Sequence, residues 1–329
     1  MTRSKAGGKI VEARELKKYF IAERGLFFGG KKWVRAVDGV DFHIKRGEIF
    51  GLVGESGCGK STVGKLILGI WKPTAGRVYF DGRDIAEMDG GKLRKLRRRM
   101  SIVYQHPYSS FNPRMLVRDI VGRPLKAFEI AKGRRKEELV AKALQEVGLN
   151  PEHMFRYPHE FSGGQQQRIA VARVLALNPD FVVLDEPTSA LDMSVQAHVL
   201  NLLSHLQQKY NFTYLFISHD LNVIEHISDR IGVMYVGKLL EVAAKKELYQ
   251  NPLHPYTKFL LEAVLTPSLK RRRKREILRG EVPSPITPPP GCRFHPRCPY
   301  AMDICRRKIP ELMDVGGKHQ VACHLVGKR

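Results

Sequence analysis

From Val40 the chain reads VDFHIKRGEIFGLVGESGCGKSTVGKLILGI. Apolar and polar residues first alternate, as in a strand with one buried face. A polar turn follows, then a short apolar run, a glycine-rich loop and apolar positions at helical spacing. The pattern predicts strand, turn, strand, loop and helix. A second run at 181–184 is apolar without alternation, as in a parallel strand covered on both faces, with Asp185 and Glu186 at its carboxyl end. TYLFISHD predicts a third strand that ends on Ser218, His219 and Asp220. Between Gln105 and Phe161 the stretches VRDIVGRPLKAF, GRRKEELVAKALQEVGL and PEHMFRYPHEF space their apolar residues as helices do, with charges on the other faces.

The glycine loop carries the first chemistry. Gly54-Glu55-Ser56-Gly57-Cys58-Gly59-Lys60-Ser61 fits the phosphate-loop pattern, including the strand before and the helix after. Glycines let consecutive backbone N–H groups turn inward around phosphates, and the helix N-terminus adds partial positive charge. Lys60 is expected to reach the β and γ phosphates, and the Ser61 hydroxyl to ligate magnesium. These eight residues and Thr62 form the candidate ATP-binding set, in which Cys58 has no catalytic role. Asp185 would join the magnesium shell and Glu186 would polarise water, a division that adjacent acids at a strand end can achieve where the backbone bends. His219 is expected to contact the γ phosphate. The class implied is α/β, with a nucleotide-hydrolase core.

Composition adds a question about partners. At 329 residues with 43% hydrophobic content, the chain has room for about two domains. It has no run of 18 apolar residues and no secretion-signal core, so a cytoplasmic location is expected. The formal charge of +23 is concentrated in KLRKLRRR at 92–99 and LKRRRKR at 269–275. Such clusters suit nucleic acid or an anionic membrane surface, where each basic residue contributes roughly 1 kcal/mol. Charge alone leaves both open.

Residues 161–165, Phe-Ser-Gly-Gly-Gln, lie between the two nucleotide motifs. Here the chain resembles the ATP-binding-cassette (ABC) ATPases, over roughly residues 10–265. The resemblance implies a RecA-like core with an antiparallel β subdomain and a helical subdomain at about 106–165. It implies that Gln105 is the lid glutamine sensing magnesium and water, that His219 is the switch histidine, and that Phe20 rather than Tyr19 stacks on adenine. Ser189-Ala190-Leu191-Asp192 resembles the loop that crosses the dimer seam. Ser162, Gly163, Gly164 and Gln165 would close on ATP held by a partner ATPase, so that two ATPs are sandwiched head to tail. Residues 105–115 would floor a groove for a membrane subunit. Relatives that act on DNA usually insert coiled coils or zinc modules between the phosphate loop and the signature; the stretch from Lys60 to Ser162 has no room for them, so no nucleic-acid partner is expected.

SSFNPRM, RYPHEFSGGQQQR, VMYVGKLLE, NPLHPYTKFLLEAV and GEVPSPITPPPGCRFHPRCPYA resemble the ATPase subunits of oligopeptide and dipeptide importers, a group that includes nickel and oligosaccharide importers. The resemblance implies a peripheral subunit on the cytoplasmic side of the membrane that hydrolyses ATP to power peptide import. Its partners would be a paralogous ATPase, two transmembrane permease subunits and an extracytoplasmic solute-binding protein. His106 stands where the family usually has an acid. The expected domains are a cassette at 1–265 and an extension at 266–329, within which the stiff strap PSPITPPP at 283–290 leads the chain from the cassette to the cysteines. Cys292, Cys298, Cys305 and Cys323 lie in that extension. The residues leave zinc, an iron–sulfur cluster and free thiols open, although the CxxC pairs of a zinc ribbon are absent. The resemblance implies a [4Fe-4S] cluster pinning a tail too poor in apolar residues to fold alone.

Overall fold

The computed structural model describes residues 8–23, 31–264 and 280–326. The basic run LKRRRKR, expected to face lipid or membrane subunits, lies outside them. The described chain divides into two units, one made of Lys45–Glu48 and Glu87–Ile217, the other of Lys9–Ile44, Ile49–Ala86 and the residues from Ser218 onward.

The second of these begins with two long strands, β1 (Lys9–Glu23) and β2 (Lys32–Lys45). The alternation from Val40 is realised in β2, where Val40, Phe42 and Ile44 are buried and Asp41 is exposed. Strand β3 (Ile49–Val53) is buried at every position and feeds the glycine loop, which opens into helix α1 (Lys60–Ile67). Strands β4 (Ala75–Phe80) and β5 (Arg83–Asp84) complete a four-stranded sheet in the order β2-β1-β4-β5, with β1–β4 and β4–β5 antiparallel.

The other unit follows. Helix α2 (Gly90–Arg97) is capped by Asp89, whose carboxylate accepts from the Lys92 N–H at 2.7 Å; Leu96 is its buried residue, and of the basic run Lys92, Arg94, Lys95, Arg97 and Arg98 are exposed. Then come β6 (Met100–Val103), α3 (Val117–Ala127), α4 (Gly133–Glu146), α5 (Gly163–Leu175), β7 (Phe181–Asp185), α6 (Met193–Tyr210) and β8 (Thr213–Ser218). β7 runs parallel to β6 on one side and β8 on the other, with Phe181 level with both Met100 and Thr213. All five β7 residues are buried, as the unbroken apolar run predicts. Helices α3, α4 and α5 pack on one another and bury Ile120, Leu125, Val140, Leu144 and Ile169. PEHMFRYPHEF forms two short 3-10 turns, Pro151–Phe155 and Pro158–Glu160, in place of the expected helix. Pro158 lacks a backbone donor and restricts the residue before it, and Tyr157 is accordingly extended at φ −89°, ψ 154°.

From Ser218 the chain returns to the unit that holds β1 and β3 through α7 (Leu221–Ile227), β9 (Arg230–Tyr235), β10 (Lys238–Ala244), α8 (Lys245–Gln250) and α9 (Pro255–Val264). β9 lies parallel to β3 and antiparallel to β10. The extension supplies α10 (Asp303–Arg307), β11 (Met313–Asp314) and β12 (Gln320–Val321), and β12 pairs with β10. Among the described residues no helix is long and apolar enough to cross a membrane.

The expected iron–sulfur or zinc site on Cys292, Cys298, Cys305 and Cys323 is overturned. Among the described residues, no group of three or more His, Cys, Asp or Glu side chains could hold a metal ion. Burial pushes the Cys292 thiol up to about 11 and raises Cys298 and Cys323 as well. The extension has no need of a metal pin because it borrows a core. The Phe294 ring lies 5.4 Å from Tyr235, 5.3 Å from Tyr256 and 5.7 Å from His254. Such aromatic contacts each add about 0.5–1.5 kcal/mol beyond area burial.

A buried polar link completes the attachment. Glu241 on β10 is fully buried and accepts from the N–H groups of Leu253 (2.7 Å) and His254 (2.9 Å), while His319 Nε2 lies 2.7 Å from it. Burial opposes the charged forms, but the hydrogen bonds outweigh it: Glu241 is held below its ordinary 4.5 and His319 above its ordinary 6.5. The stabilisation from His319 is therefore complete below pH 6.5 and lost as pH rises through its higher folded-state value; that from Glu241 is complete above pH 4.5 and lost as pH falls through its lower one. The melting-temperature gap between wild type and His319→Gln should be widest between pH 4.5 and 6.5 and narrow as pH rises. A gap that stays constant into the alkaline range would exclude the pair as its source.

Candidate nucleotide site

The phosphate loop is held by close backbone contact. A Cβ at Gly54 would lie 2.0 Å from the Met234 carbonyl oxygen, and one at Gly59 would lie 2.0 Å from that of Ala36, where φ is also +108°. The Gly237 N–H donates to the Cys58 carbonyl at 2.9 Å. Lys60 opens α1 with 4% of its surface exposed, and its Nζ donates to the carbonyls of Gly54 (2.7 Å) and Glu55 (3.1 Å). Cys58 is buried, and burial raises its thiol pKa. Ser61 and Thr62 lie half-buried on the first turn of α1, while Ser56 and Gly57 are exposed at the loop's tip.

Three residues beyond the expected set fix Glu55. Its carboxylate accepts from Arg297 Nη1 at 2.9 and 3.2 Å, and its N–H donates to the Tyr256 hydroxyl at 3.1 Å. Tyr235 in turn accepts from the same Arg297 nitrogen at 3.2 Å. No sequence spacing points to Arg297, which is 242 positions from Glu55.

The two candidate adenine-facing aromatics sit differently. The Phe20 ring meets Trp71 edge-on at 5.0 Å. The Tyr19 hydroxyl donates to Asp38, and burial with that contact pushes its pKa up to about 12. His219 is exposed just beyond β8, ahead of Asp220, which caps α7 by accepting from the Asn222 N–H at 2.8 Å.

The remaining expected residues belong to the other unit. Asp185 ends β7 and is buried. At Glu186 the backbone turns left-handed, φ +48°, and its N–H donates to Ile217 at 2.9 Å. That turn breaks the strand alternation, so the adjacent acids are not confined to opposite faces. Gln105, just past β6, donates through Nε2 to Glu186 Oε2 at 3.1 Å. Non-glycine residues in this conformation cost of order 1–3 kcal/mol and cluster at functional sites.

The signature segment is an N-terminal cap. Ser162 accepts from the Gln165 N–H (3.4 Å), and Gln165 Oε1 accepts from the Ser162 N–H (3.0 Å), which starts α5 with exposed N–H groups suited to an anion. Gly163 is exposed. Gly164 is held near α6, where an added Cβ would lie 2.5 Å from Val195 Cγ1. Asp192 caps α6, accepting from the Val195 N–H at 2.9 Å and the Ser194 hydroxyl at 2.8 Å, and these bonds hold its carboxyl below the ordinary range. The Asp185 carboxylate, the Ser61 hydroxyl and the Gln105 amide oxygen are hard donors of the kind magnesium takes.

A family profile described as "ABC transporter" matches residues 37–189, and one described as "Oligopeptide/dipeptide transporter, C-terminal region" matches 240–305. The chain is 51% identical over 321 residues to the oligopeptide transport ATP-binding protein AppF of Bacillus subtilis, covering 96% of this chain and 97% of that protein. It is 48% identical over 319 residues to the putative oligopeptide transport ATP-binding protein YkfD of the same organism, covering 96% and 95%. Among solved structures, the ATP-binding cassette MJ0796, a dimer bound to ADP and Pi, is similar at TM-score 0.63 and 29% identity, covering 71% of this chain and 98% of that one. The cbiO1 protein of Clostridium perfringens, part of the ABC transporter complex cbiONQ, is similar at TM-score 0.61 and 28% identity, covering 74% and 91%.

Gly59→Ala should lower stability by about 1–3 kcal/mol and weaken nucleotide binding at least about tenfold, since a Cβ there meets backbone that cannot yield. Gly57→Ala, with open space at the same atom, should cost less. Melting and nucleotide titration check both; equal losses would show that φ alone, and not the contact with Ala36, sets the requirement.

Proposed function

The chain belongs to the ATP-binding subunits of ABC transporters of the oligopeptide/dipeptide type, and we propose that it hydrolyses ATP as one half of a cassette dimer to power peptide import through a membrane transporter. The observation that carries this is the match along nearly the whole chain to AppF, with the C-terminal region characteristic of the group. In this reading the chain is a peripheral subunit on the cytoplasmic side of the membrane. Its partners in this reading are a paralogous ATPase, two permease subunits and an extracytoplasmic binding protein that selects the solute. The cassette occupies 1–265, with a helical subdomain at about 106–165 that grips a permease through the groove floored by residues 105–115.

In the reaction Lys60 offsets charge on the β and γ phosphates, and the glycine loop presents backbone donors to them, apart from the Glu55 N–H that Tyr256 accepts. Phe20 stacks on adenine. Ser61, Asp185 and Gln105 would hold magnesium, which supplies charge neutralisation on the phosphates when bound. Glu186, oriented by the Gln105 amide, accepts a proton from the attacking water, and His219 steadies the γ phosphate. Ser162, Gly163, Gly164 and Gln165 offer the start of α5 to the ATP of the partner cassette, and the segment ending in Asp192 lies at the seam. A single chain therefore has little activity.

Glu186→Gln keeps the hydrogen-bonding shape and removes the base, so turnover should fall about 10²–10⁴-fold while ATP still binds. Undiminished turnover would remove Glu186 from this role. The wild-type ATPase should be stimulated by co-purified membrane subunits; stimulation by duplex DNA in their place would overturn the importer reading.

A further inference from the structure

Glu55 poses a problem for any polyanion. A carboxylate inside a phosphate loop repels the triphosphate that the loop is built to receive. The structure answers it with a residue from the far end of the chain. Arg297 Nη1 reaches both carboxylate oxygens, at 2.9 and 3.2 Å, with 8% of its side chain exposed. The same nitrogen donates to the Tyr235 hydroxyl, and the guanidinium stands 5.9 Å from that ring's centroid. Its Nε is buried with no hydrogen-bond partner. Burial works against the charged guanidinium, and the contacts with Glu55 and Tyr235 outweigh it.

The arginine is placed by packing. It ends a single 3-10 turn, His295–Arg297, whose preceding residue Phe294 is wedged among Tyr235, Tyr256 and His254. Tyr256 also accepts the Glu55 N–H, and the Glu55 carbonyl accepts from Lys60. Side chain, N–H and carbonyl of one loop residue are thus each held, two of them by residues that pack on Phe294 or follow it.

We infer that Arg297 is a positioning residue for the phosphate loop: it neutralises Glu55 and fixes its side chain, so that nucleotide affinity depends on how the C-terminal extension is seated. The inference rests on the reading that this loop binds ATP. It assigns the extension a part in the nucleotide cycle, because any displacement of the turn at 295–297 exposes an uncompensated negative charge to the triphosphate.

The test uses the full chain and a fluorescent ATP analogue. Arg297→Gln keeps most of the side-chain length and loses the charge; its Kd for the analogue should rise about tenfold or more. Adding Glu55→Gln removes the repulsion, and the double variant should recover to within about threefold of wild type. Arg297→Lys, which restores charge without the planar fork, should fall between. In the assembled transporter the loss should appear in KM for ATP more than in kcat. An unchanged Kd in Arg297→Gln, or a double variant as weak as the single, overturns the inference. If neither variant folds, Arg297 is a structural strut alone, and the inference is equally overturned. A wild-type chain that binds no analogue would sink the ATP reading and this inference with it, whereas a wild type that binds no better than Arg297→Gln sinks only this one.

Discussion

The phosphate loop passes between backbone carbonyls that leave no room for a side chain at Gly54 or Gly59. Gly54 runs against Met234 at the end of β9, and Gly59 against Ala36 on β2. Close approach of this kind fills one side of the loop with protein and leaves the other for a ligand. It also means that the loop's shape is set by strands from distant parts of the sequence. β3 delivers the chain to the loop, β9 lies parallel beside β3, and the Gly237 N–H just past β9 closes on Cys58. Strand order, hairpin and glycine positions are different aspects of one steric requirement.

A similar economy holds around the carboxylates. The buried strand β7 can carry Asp185 at its end because the apolar run before it needs no partner but packing. Glu186 then departs from strand geometry, and Gln105 takes its side chain by a hydrogen bond. The strain at Glu186 is local, and it is offset by the hydrogen bond from its N–H to Ile217 and by that from the Ser189 hydroxyl to its carbonyl.

Local patterns made much of this legible before any coordinates. The alternation in β2, the unbroken run in β7 and the loop between β3 and α1 are each written in a few consecutive residues, and each forms as read. PEHMFRYPHEF misled because apolar spacing speaks for a helix while Pro158 forbids a continuous one, and the backbone restriction wins. The cysteines misled for another reason. Composition suggested a tail with too little to bury, but composition cannot say that Phe294 inserts beside Tyr235 and Tyr256, or that Glu241 reaches His319. Arg297 was invisible on the same ground: its partner is distant in sequence, and no periodicity encodes a pair of that separation.

The bond between Glu55 and Arg297 spans 242 positions, and that length has a consequence in time. A ribosome adding about 5–20 residues per second needs roughly 12–48 s between the two ends of that bond. Even once β9 has been made and the loop can take its shape, its acid is uncompensated until the turn at 295–297 follows. The half-built cassette would therefore hold ATP poorly while still tethered to the ribosome. Full grip on the nucleotide would arrive only once the turn at 295–297 has been made, so that cassettes competent to burn ATP are also those in which that turn is seated.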